Sequence, residues 1–432
     1  MIKYKAYPEY KDSGVEWLGK VPKSWVICRL KNLAVIKNGQ DYKSVQADNG
    51  YPVMGSGGQF MFASKFMYDK PSVLLGRKGT IDKPLYVDVP FWTVDTMYYT
   101  ELNEGVDAKY LYYLALTIQF SRYSTNTALP SMTQEHLSNY KFAIPKCESD
   151  RRKITDFLNH ETAKIDSLIE KQQQLIELLK EKRQAVISHA VTKGLNPDVQ
   201  MKDSGVEWLG EVPEHWVCTK IKYVSLLTPK KSALNVKIND ECTFIPMEKL
   251  KRNSLITDES KFIKEVISGY TCFEDNDLLL AKVTPCFENK NIAVAKGLVN
   301  GIGFGSTEIY VLRPTDKVQV NYLLYRLQED NFIRAATGAM TGAGGLKRVP
   351  SEFLVNYPIA IPPKCEMNAI IDFLHEQEAH YDLMEKNAIQ AVQLLQERRT
   401  ALISAAVTGK IDVRDWVAPD TQETEKIEET AE

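Results

Sequence analysis

Residues 11–25 read KDSGVEWLGKVPKSW, and residues 202–216 read KDSGVEWLGEVPEHW. The two stretches differ only at Lys20/Glu211, Lys23/Glu214 and Ser24/His215, at an offset of 191. Further matches follow each copy. ITDFL at 154–158 returns as IIDFL at 370–374, and AVISHAVT at 185–192 as ALISAAVT at 401–408, both at offset 216. A weaker pair is NYKFAIP at 139–145 and NYPIAIP at 356–362. Self-similarity at this scale marks an internal duplication. The chain reads as two tandem units, roughly 11–200 and 202–415, each with a lead, a middle and a helical end. The middles diverge almost completely, and the growth of the offset from 191 to 216 makes the second about 25 residues longer. A duplicated frame with unlike middles holds two different readers. The plainer alternative is a duplicated domain whose loops drifted. Drift, however, rarely erases a domain's core pattern while sparing both its flanks.

The helical ends carry their own pattern. Residues 148–192 contain neither Pro nor Gly. Ile154, Leu158, Ile165, Leu168, Leu175, Leu179 and Val186 follow alternating 4/3 spacing when Glu161, Gln172 and Lys182 are taken as polar members of the seam. That is a heptad stripe, and Gly194 and Pro197 stop it. The second copy has Ile370, Leu374, Tyr381, Met384, Ala388, Ala391, Leu395 and Leu402, with polar Gln377 and Arg398, and ends at Gly409. A 45-residue helix is roughly 67 Å long and cannot bury its stripe alone. The economical partner is the other copy, packed antiparallel, with the two middles at opposite ends of a rod; a coiled coil between chains is the rival.

The middles read as short strands and turns. In the first, Tyr51–Gly58 (YPVMGSGG) is a strand ending in a Gly/Ser turn, and Ser72–Ile81 (SVLLGRKGTI) is a strand running into a basic turn. Arg77 and Lys78 lie between glycines. An Arg fork matches guanine O6/N7 or a phosphate, and glycine permits close backbone approach. In the second, Asp277–Asn291 (DLLLAKVTPCFENKN) is a buried strand followed by a polar loop. Gly301–Glu308 (GIGFGSTE) superficially resembles a dinucleotide loop, but strand-like Glu308–Leu312 follows where a helix is required.

Hydrophobic content of 44% and charged content of 25% are ordinary for a globular chain. The net charge of −2 gives no global basic field, so DNA binding must come from local patches or a basic partner. Seven Cys without a C-x-x-C pair argue against a disulfide framework or zinc site and suit a reducing cytoplasm. MIKYKAYPEYKDSG lacks the apolar core of a secretory signal, and no apolar run reaches the roughly 18 residues of a membrane helix. There is no N-P-P-Y or D-P-P-Y tetrad and no G-x-x-x-x-G-K-[ST]. Thr284-Pro285-Cys286-Phe287 lacks the side-chain carbonyl that such a tetrad supplies. His375 and His380 are five apart on a helix, on different faces, which is poor for a shared metal.

The leads, the loops VMGSGG (53–58) and VLLGRKGTI (73–81), the runs LLLAKVTPCFENKN (278–291) and GFGSTE (303–308), and the helical motifs ITDFL and AVISHAVTKG together resemble the specificity subunit of type I restriction–modification enzymes. The resemblance covers nearly the whole chain. It implies an α+β fold with two mixed α/β-rich target recognition domains, residues 1–147 and 195–363. They would be joined by spacer helices, 148–194 and 364–409, as an antiparallel coiled coil with pseudo-twofold tandem symmetry. An acidic tail, 410–432, would follow, and its stretch Ala418–Glu432, which has no apolar periodicity, is expected to be disordered. It implies a non-catalytic subunit without a cofactor or membrane contact, resident in the cytoplasm, that reads a bipartite double-stranded DNA target. Its partners would be two methyltransferase (modification) subunits, for adenine methylation, and restriction/translocase subunits. On this reading the DNA-contact candidates are Ser56, Gly57, Arg77, Lys78 and Thr80 in the first reader, and Lys282, Thr284, Asn289 and Ser306 in the second. Two other classes remain open: a coiled-coil scaffold that reads no DNA, and a self-contained nuclease or methylase with an unfamiliar site.

Overall fold

The repeated lead is a repeated set of hydrogen bonds. Strands Tyr10–Asp12 and Lys20–Pro22 pair antiparallel, as do Met201–Asp203 and Glu211–Pro213. In the first copy the Asp12 carboxylate accepts from the Gly14 amide at 2.9 Å, and the Ser13 hydroxyl accepts from Val15 N–H at 3.1 Å. Lys11 Nζ donates to the carbonyls of Lys23 (3.0 Å) and Trp25 (2.6 Å). Asp203, Ser204 and Lys202 repeat every one of these contacts. Gly14 and Gly205 sit at φ +65° and +71°, where a side chain is strained. Turn chemistry therefore fixes the motif, and the differing residues, Lys20, Lys23, Ser24, Glu211, Glu214 and His215, are all exposed.

Trp25 and Trp216, each 1% exposed, anchor the leads in their cores. Strand Trp25–Arg29 pairs with Lys141–Pro145, and Val217–Lys220 with Pro358–Ile361, which accounts for the weaker NYKFAIP/NYPIAIP match. The computed structural model describes residues 4–122, 130–206, 209–231, 237–343 and 345–418. They divide into unit 1 (1–173 and 389–432) and unit 2 (174–388). Glu207 and Trp208 of the second lead, and the acidic residues after Ala418, lie outside the described residues.

The divergent middle of unit 1 contains β1 (Ala34–Asn38), β2 (Gln46–Ala47), β3 (Tyr51–Gly55), β4 (Gly58–Ala63), β5 (Ser72–Gly76), β6 (Leu85–Val87), β7 (Trp92–Thr93) and β8 (Met97–Leu102). They form two four-stranded sheets, β1-β8-β5-β6 and β7-β3-β4-β2. Unit 2 contains β9 (Ser225–Leu227), β10 (Glu241–Ile245), β11 (Ser260–Phe262), β12 (Thr271–Glu274), β13 (Leu278–Ala281), β14 (Ile292–Val294), β15 (Ile302–Gly305) and β16 (Ile309–Pro314). Its sheets are β9-β16-β13-β14 and β11-β10-β15-β12. The first sheet has the same order in both units, with β5 and β13 as inner strands. The second contains one parallel pair in each, β3 with β7 and β10 with β15. The two middles are thus one α+β design written twice in unlike residues.

The long helices run Glu148–Lys193 and Lys364–Val407. At 1.5 Å per residue the first spans about 69 Å. Both begin with acid in the first turn, Glu148 and Asp150 or Glu366, where it favours the helix dipole. Each is followed by a left-handed glycine, Gly194 (φ +76°) and Gly409 (φ +73°). A Cβ at Gly409 would lie 2.5 Å from Pro22 and 3.3 Å from Trp25, and one at Gly194 would lie 3.3 Å from Trp216. The helix end and the lead therefore meet at a glycine in each unit. The helices pair antiparallel as expected. In unit 1, Ile154, Leu158 and Ile165 share a core with Leu402, Ile403 and Ala406. In unit 2, Ile187, Ala190 and Val191 share one with Met367, Ile370 and Leu374. Arg399 bonds both Asp166 oxygens (2.7 and 3.2 Å), and Arg183 reaches Asp382 (2.7 Å) and Glu378 (3.1 Å).

The seam of the first helix differs from the expected phase at three places. Leu168 (47% exposed), Leu175 (42%) and Lys182 face outward, while Ile169, Ile176 and Arg183 turn in. Leu168-Ile169 and Leu175-Ile176 are apolar doublets, so periodicity admits either phase. The inward ion pairs of Arg183 go with the phase adopted. The second helix keeps the expected stripe except that Arg399, not Arg398, is turned inward. The first residues after the second long helix are ordered, within the span 410–432 expected as a tail. Residues 410–416 return onto unit 1, where Trp416 stacks edge-on against Phe157 at 5.6 Å. There the Asp412 amide donates to Lys5 O at 2.7 Å, and the Arg414 guanidinium lies over the Tyr7 ring. Apolar Ile411, Val413 and Trp416 give this stretch a core to join.

Candidate nucleic-acid interface

In unit 1 three turns meet at one end of the strands. β3 ends at Gly55 and reverses into β4 through Ser56 and Gly57, with Gly58 at φ +103°. The parallel neighbour β7 leads into a turn whose Val94 amide donates to Met54 O at 3.2 Å. Next to it, β5 ends at Gly76. A Cβ there would lie 2.5 Å from Ile81 Cα and 2.6 Å from Thr80 O, so glycine lets the 77–80 loop fold back over its own strand. The Arg77 amide donates to Thr96 O (2.9 Å), and its guanidinium to Asp95 O (3.2 Å). Lys78 forms an isolated bridge with Ser131, and Gly79 N–H donates to Pro130 O at 2.9 Å. The structure thus joins Ser56–Gly57 to Arg77, Lys78 and Thr80 through the 94–96 turn. Lys78, Thr80 and Gly57 are exposed, and Arg77 and Ser56 half-buried.

Unit 2 builds the same corner from different residues. Lys282 N–H donates to Glu308 O at 3.0 Å, as Arg77 does to Thr96. Ser306 N–H donates to Ile245 O at 3.1 Å, as Val94 does to Met54. Val283 bridges Arg348 as Lys78 bridges Ser131. The Lys282 ammonium lies 5.1 Å from the Tyr310 ring centre, and the Arg77 guanidinium 6.0 Å from that of Tyr98. Arg77 and Lys282 therefore occupy one position of a shared design.

The remaining candidates in unit 2 have local duties. The Thr284 hydroxyl donates to Gly345 O (2.8 Å) and accepts from Lys347 N–H (3.0 Å), which fastens the hairpin of Thr341–Ala343 and Leu346–Arg348 to the corner. The Ser306 hydroxyl accepts from the Glu308 amide at 3.2 Å. Asn289 is exposed at a turn. Its neighbour Lys290 is tied to Asp330 (2.6 Å) and to Gln184 (2.7 Å) on the first long helix. Sequence reasoning missed the 341–348 hairpin, which carries an exposed Lys347 and an Arg348 that grips Glu308 through two bonds of 2.8 and 2.9 Å. Those bonds hold the Glu308 carboxyl below the usual carboxylate range. The signal was present as TGAGGLKR, glycine and base interleaved as in GRKG.

Such corners suit recognition. Backbone bonds fix each turn, glycines allow close approach, and cations stand at the surface. Among the described residues no group of three His, Cys, Asp or Glu side chains is placed to hold a metal ion. All seven thiols are free. No described helix is long and apolar enough to cross a membrane.

Comparison with known proteins agrees. A family model described as the type I restriction modification DNA specificity domain matches residues 22–178. The type I restriction enzyme EcoAI specificity subunit of Escherichia coli is 36% identical over 193 residues, 43% of this chain and 32% of that protein. The EcoEI specificity subunit of Escherichia coli is 32% identical over 200 residues, 45% of this chain and 33% of that protein. The chain spans about a third of the length of these two relatives. The EcoKI specificity subunit of Escherichia coli K12 is 19% identical, but across 93% of this chain and 92% of that protein. A solved chain from work on complex assembly and conformational transition of the type I restriction–modification system shares the fold, with a TM-score of 0.68 and 14% identity. The alignment covers 91% of this chain and all of that one. With its duplicated frame, its paired long helices and a match to that specificity domain in its first half, the chain is similar to the specificity subunits of type I restriction–modification systems.

Proposed function

We propose that each unit reads one half of a bipartite double-stranded DNA target through its strand-end corner. The observation that carries this is the same corner built twice, with the same backbone bonds, from unlike side chains. Shared bonds fix where the contacts are made, and unlike side chains make the two contacts differ in sequence preference. Arg77 and Lys78 in unit 1, and Lys282 in unit 2, are the first base or phosphate contacts. Ser56, Gly57 and Thr80, and Thr284, Asn289 and Ser306, line the same surfaces or support them.

The long helices, each of which passes from one unit into the other, set the gap between the half-sites. In this reading the chain contributes no bond-making step. Two methyltransferase subunits dock on it and methylate adenine within the target, and restriction/translocase subunits join them, all in the cytoplasm. A net charge of −2 fits this division, because partners supply much of the phosphate attraction.

The test is single-molecule methylation profiling of DNA from cells that express the chain with its methyltransferase partner. A new motif of two short halves around a fixed gap supports the reading. If the methylase is active with another specificity subunit yet no motif depends on this chain, the scaffold reading replaces it.

A further inference from the structure

We infer that Phe60 reads a thymine in the first half-site by packing its ring against the base's 5-methyl group. This rests on the proposed DNA-reading role of unit 1. Phe60 is 50% exposed, the more exposed of the two phenylalanines of β4, Phe62 being 38% exposed. It is also the extra residue of a β-bulge. Gln59 pairs with Met54 and Met61 with Val53, so Phe60 has no partner across the ladder. Bulges re-aim side chains and recur beside functional sites.

The ring is held where the bulge sends it. A Cβ on Gly55 would come within 3.3 Å of Phe60 Cε1, so the ring lies over that glycine. Tyr42 packs edge-on against it, with centroids 5.2 Å apart and planes at 90°. Gly55 follows Met54, whose carbonyl accepts from the Val94 amide, and the next residue along, Asp95, accepts from Arg77. Phe60 therefore belongs to the rim of the corner that carries Arg77 and Lys78.

Its surroundings select the kind of contact. A ring backed by strand and hairpin, with Tyr42 against it, cannot slide between base pairs without carrying its strand along. It can present an apolar patch to a groove wall. In the major groove thymine's C5-methyl is the apolar group on a base edge, and phenylalanine is a known type of partner for it. Among its described residues unit 2 has no aromatic at this place. The aromatic of β11, Phe262, pairs with Glu241, at the far end of β10 from its corner. The thymine contact should therefore appear in one half-site only.

The experiment uses the chain assembled with its methyltransferase partner and duplexes in which target thymines are replaced singly by 2′-deoxyuridine. Wild type should lose about fourfold in affinity at one first-half position, the equivalent of one buried methyl-sized group. Phe60→Ala should bind less tightly and be indifferent to that replacement, and Phe60→Leu should keep part of the response. Replacement in the second half should affect wild type and Phe60→Ala alike. A first half-site without thymine overturns the inference. So does an undiminished deoxyuridine response in Phe60→Ala, or failure of that variant to assemble with the methyltransferase, which would make the ring a protein contact. Loss of all preference by wild type for its target over a scrambled duplex would sink the DNA-reading role itself, and this inference with it.

Discussion

Replacing Gly76 by Ala should damage the reading of one half-site and leave the other alone. The added methyl would lie 2.5 Å from Ile81 Cα and 2.6 Å from Thr80 O. Carbon atoms rest at about 3.5–4.0 Å, so the 77–81 backbone must move by about 1 Å. Both obstructing atoms are backbone, and no side-chain rotation relieves them. Overpacking of this kind costs about 1–3 kcal/mol of stability. A shift of that size also takes Arg77 out of register with Thr96, its backbone partner at 2.9 Å. A well-placed bidentate base contact is worth about 1–3 kcal/mol of discrimination, so preference at one position should fall by roughly 5- to 150-fold. In unit 2 the corresponding strand ends in Ala281, whose methyl is already buried. That half-site should keep its full preference. The assay is competitive binding by the assembled methyltransferase, with targets altered base by base, alongside thermal unfolding of the variant. A folded variant with unchanged discrimination at every position would refute the reasoning, and so would equal loss in both halves.

Other consequences follow from the same contacts. Arg183→Ala should cost about 2–3 kcal/mol in denaturant titrations, below the 3–5 kcal/mol of a fully buried pair, because the Arg183 and Glu378 side chains are 12% and 14% exposed. A change under about 0.5 kcal/mol, within the range of ordinary surface substitutions, would show that the pair contributes little to the helix seam. Lys347→Ala should weaken binding to all sequences alike and lower the salt slope by about one; a base-specific loss would move Lys347 into the reading set. Thiol labelling at pH 8 should find exposed Cys147 first, since hydrogen bonding from Ser149 lowers its pKa. Burial pushes Cys28 and Cys242 up to about 11, so partly buried Cys28 should label more slowly than Cys147 and buried Cys242 only on unfolding. Their folded state favours the neutral thiol. That contribution is intact below the free-thiol pKa of 9.0 and is lost as pH rises toward 11. Early labelling of Cys242 would contradict its burial.

The duplicated frame was legible because its chemistry is local. Lys11, Asp12, Ser13 and Gly14 form a turn held by their own side-chain bonds, and Lys202 to Gly205 make it again. The glycine after each helix was legible as a stop signal, though not as the seat for Trp25 or Trp216. The equivalence of the two corners was hidden. GRKG and AKVT share no pattern, because the bonds they share, Arg77 to Thr96 and Lys282 to Glu308, run through the backbone and leave the side chains free to differ. Phe60 was hidden for a similar reason: a bulge is a matter of register and cannot be read from one strand's sequence. The seam phase failed at Leu168-Ile169 and Leu175-Ile176, where two adjacent apolar residues compete for one inward position.

Reading of one half of the target by each unit is tested most directly by methylation profiling of cells that carry Arg77→Ala or Lys282→Ala in the chain, with the methyltransferase partner unchanged. Each substitution should relax bases in one half only, the two halves should differ, and the gap length should stay fixed. Relaxation of the same half by both substitutions, or an unchanged motif in both, would contradict that assignment.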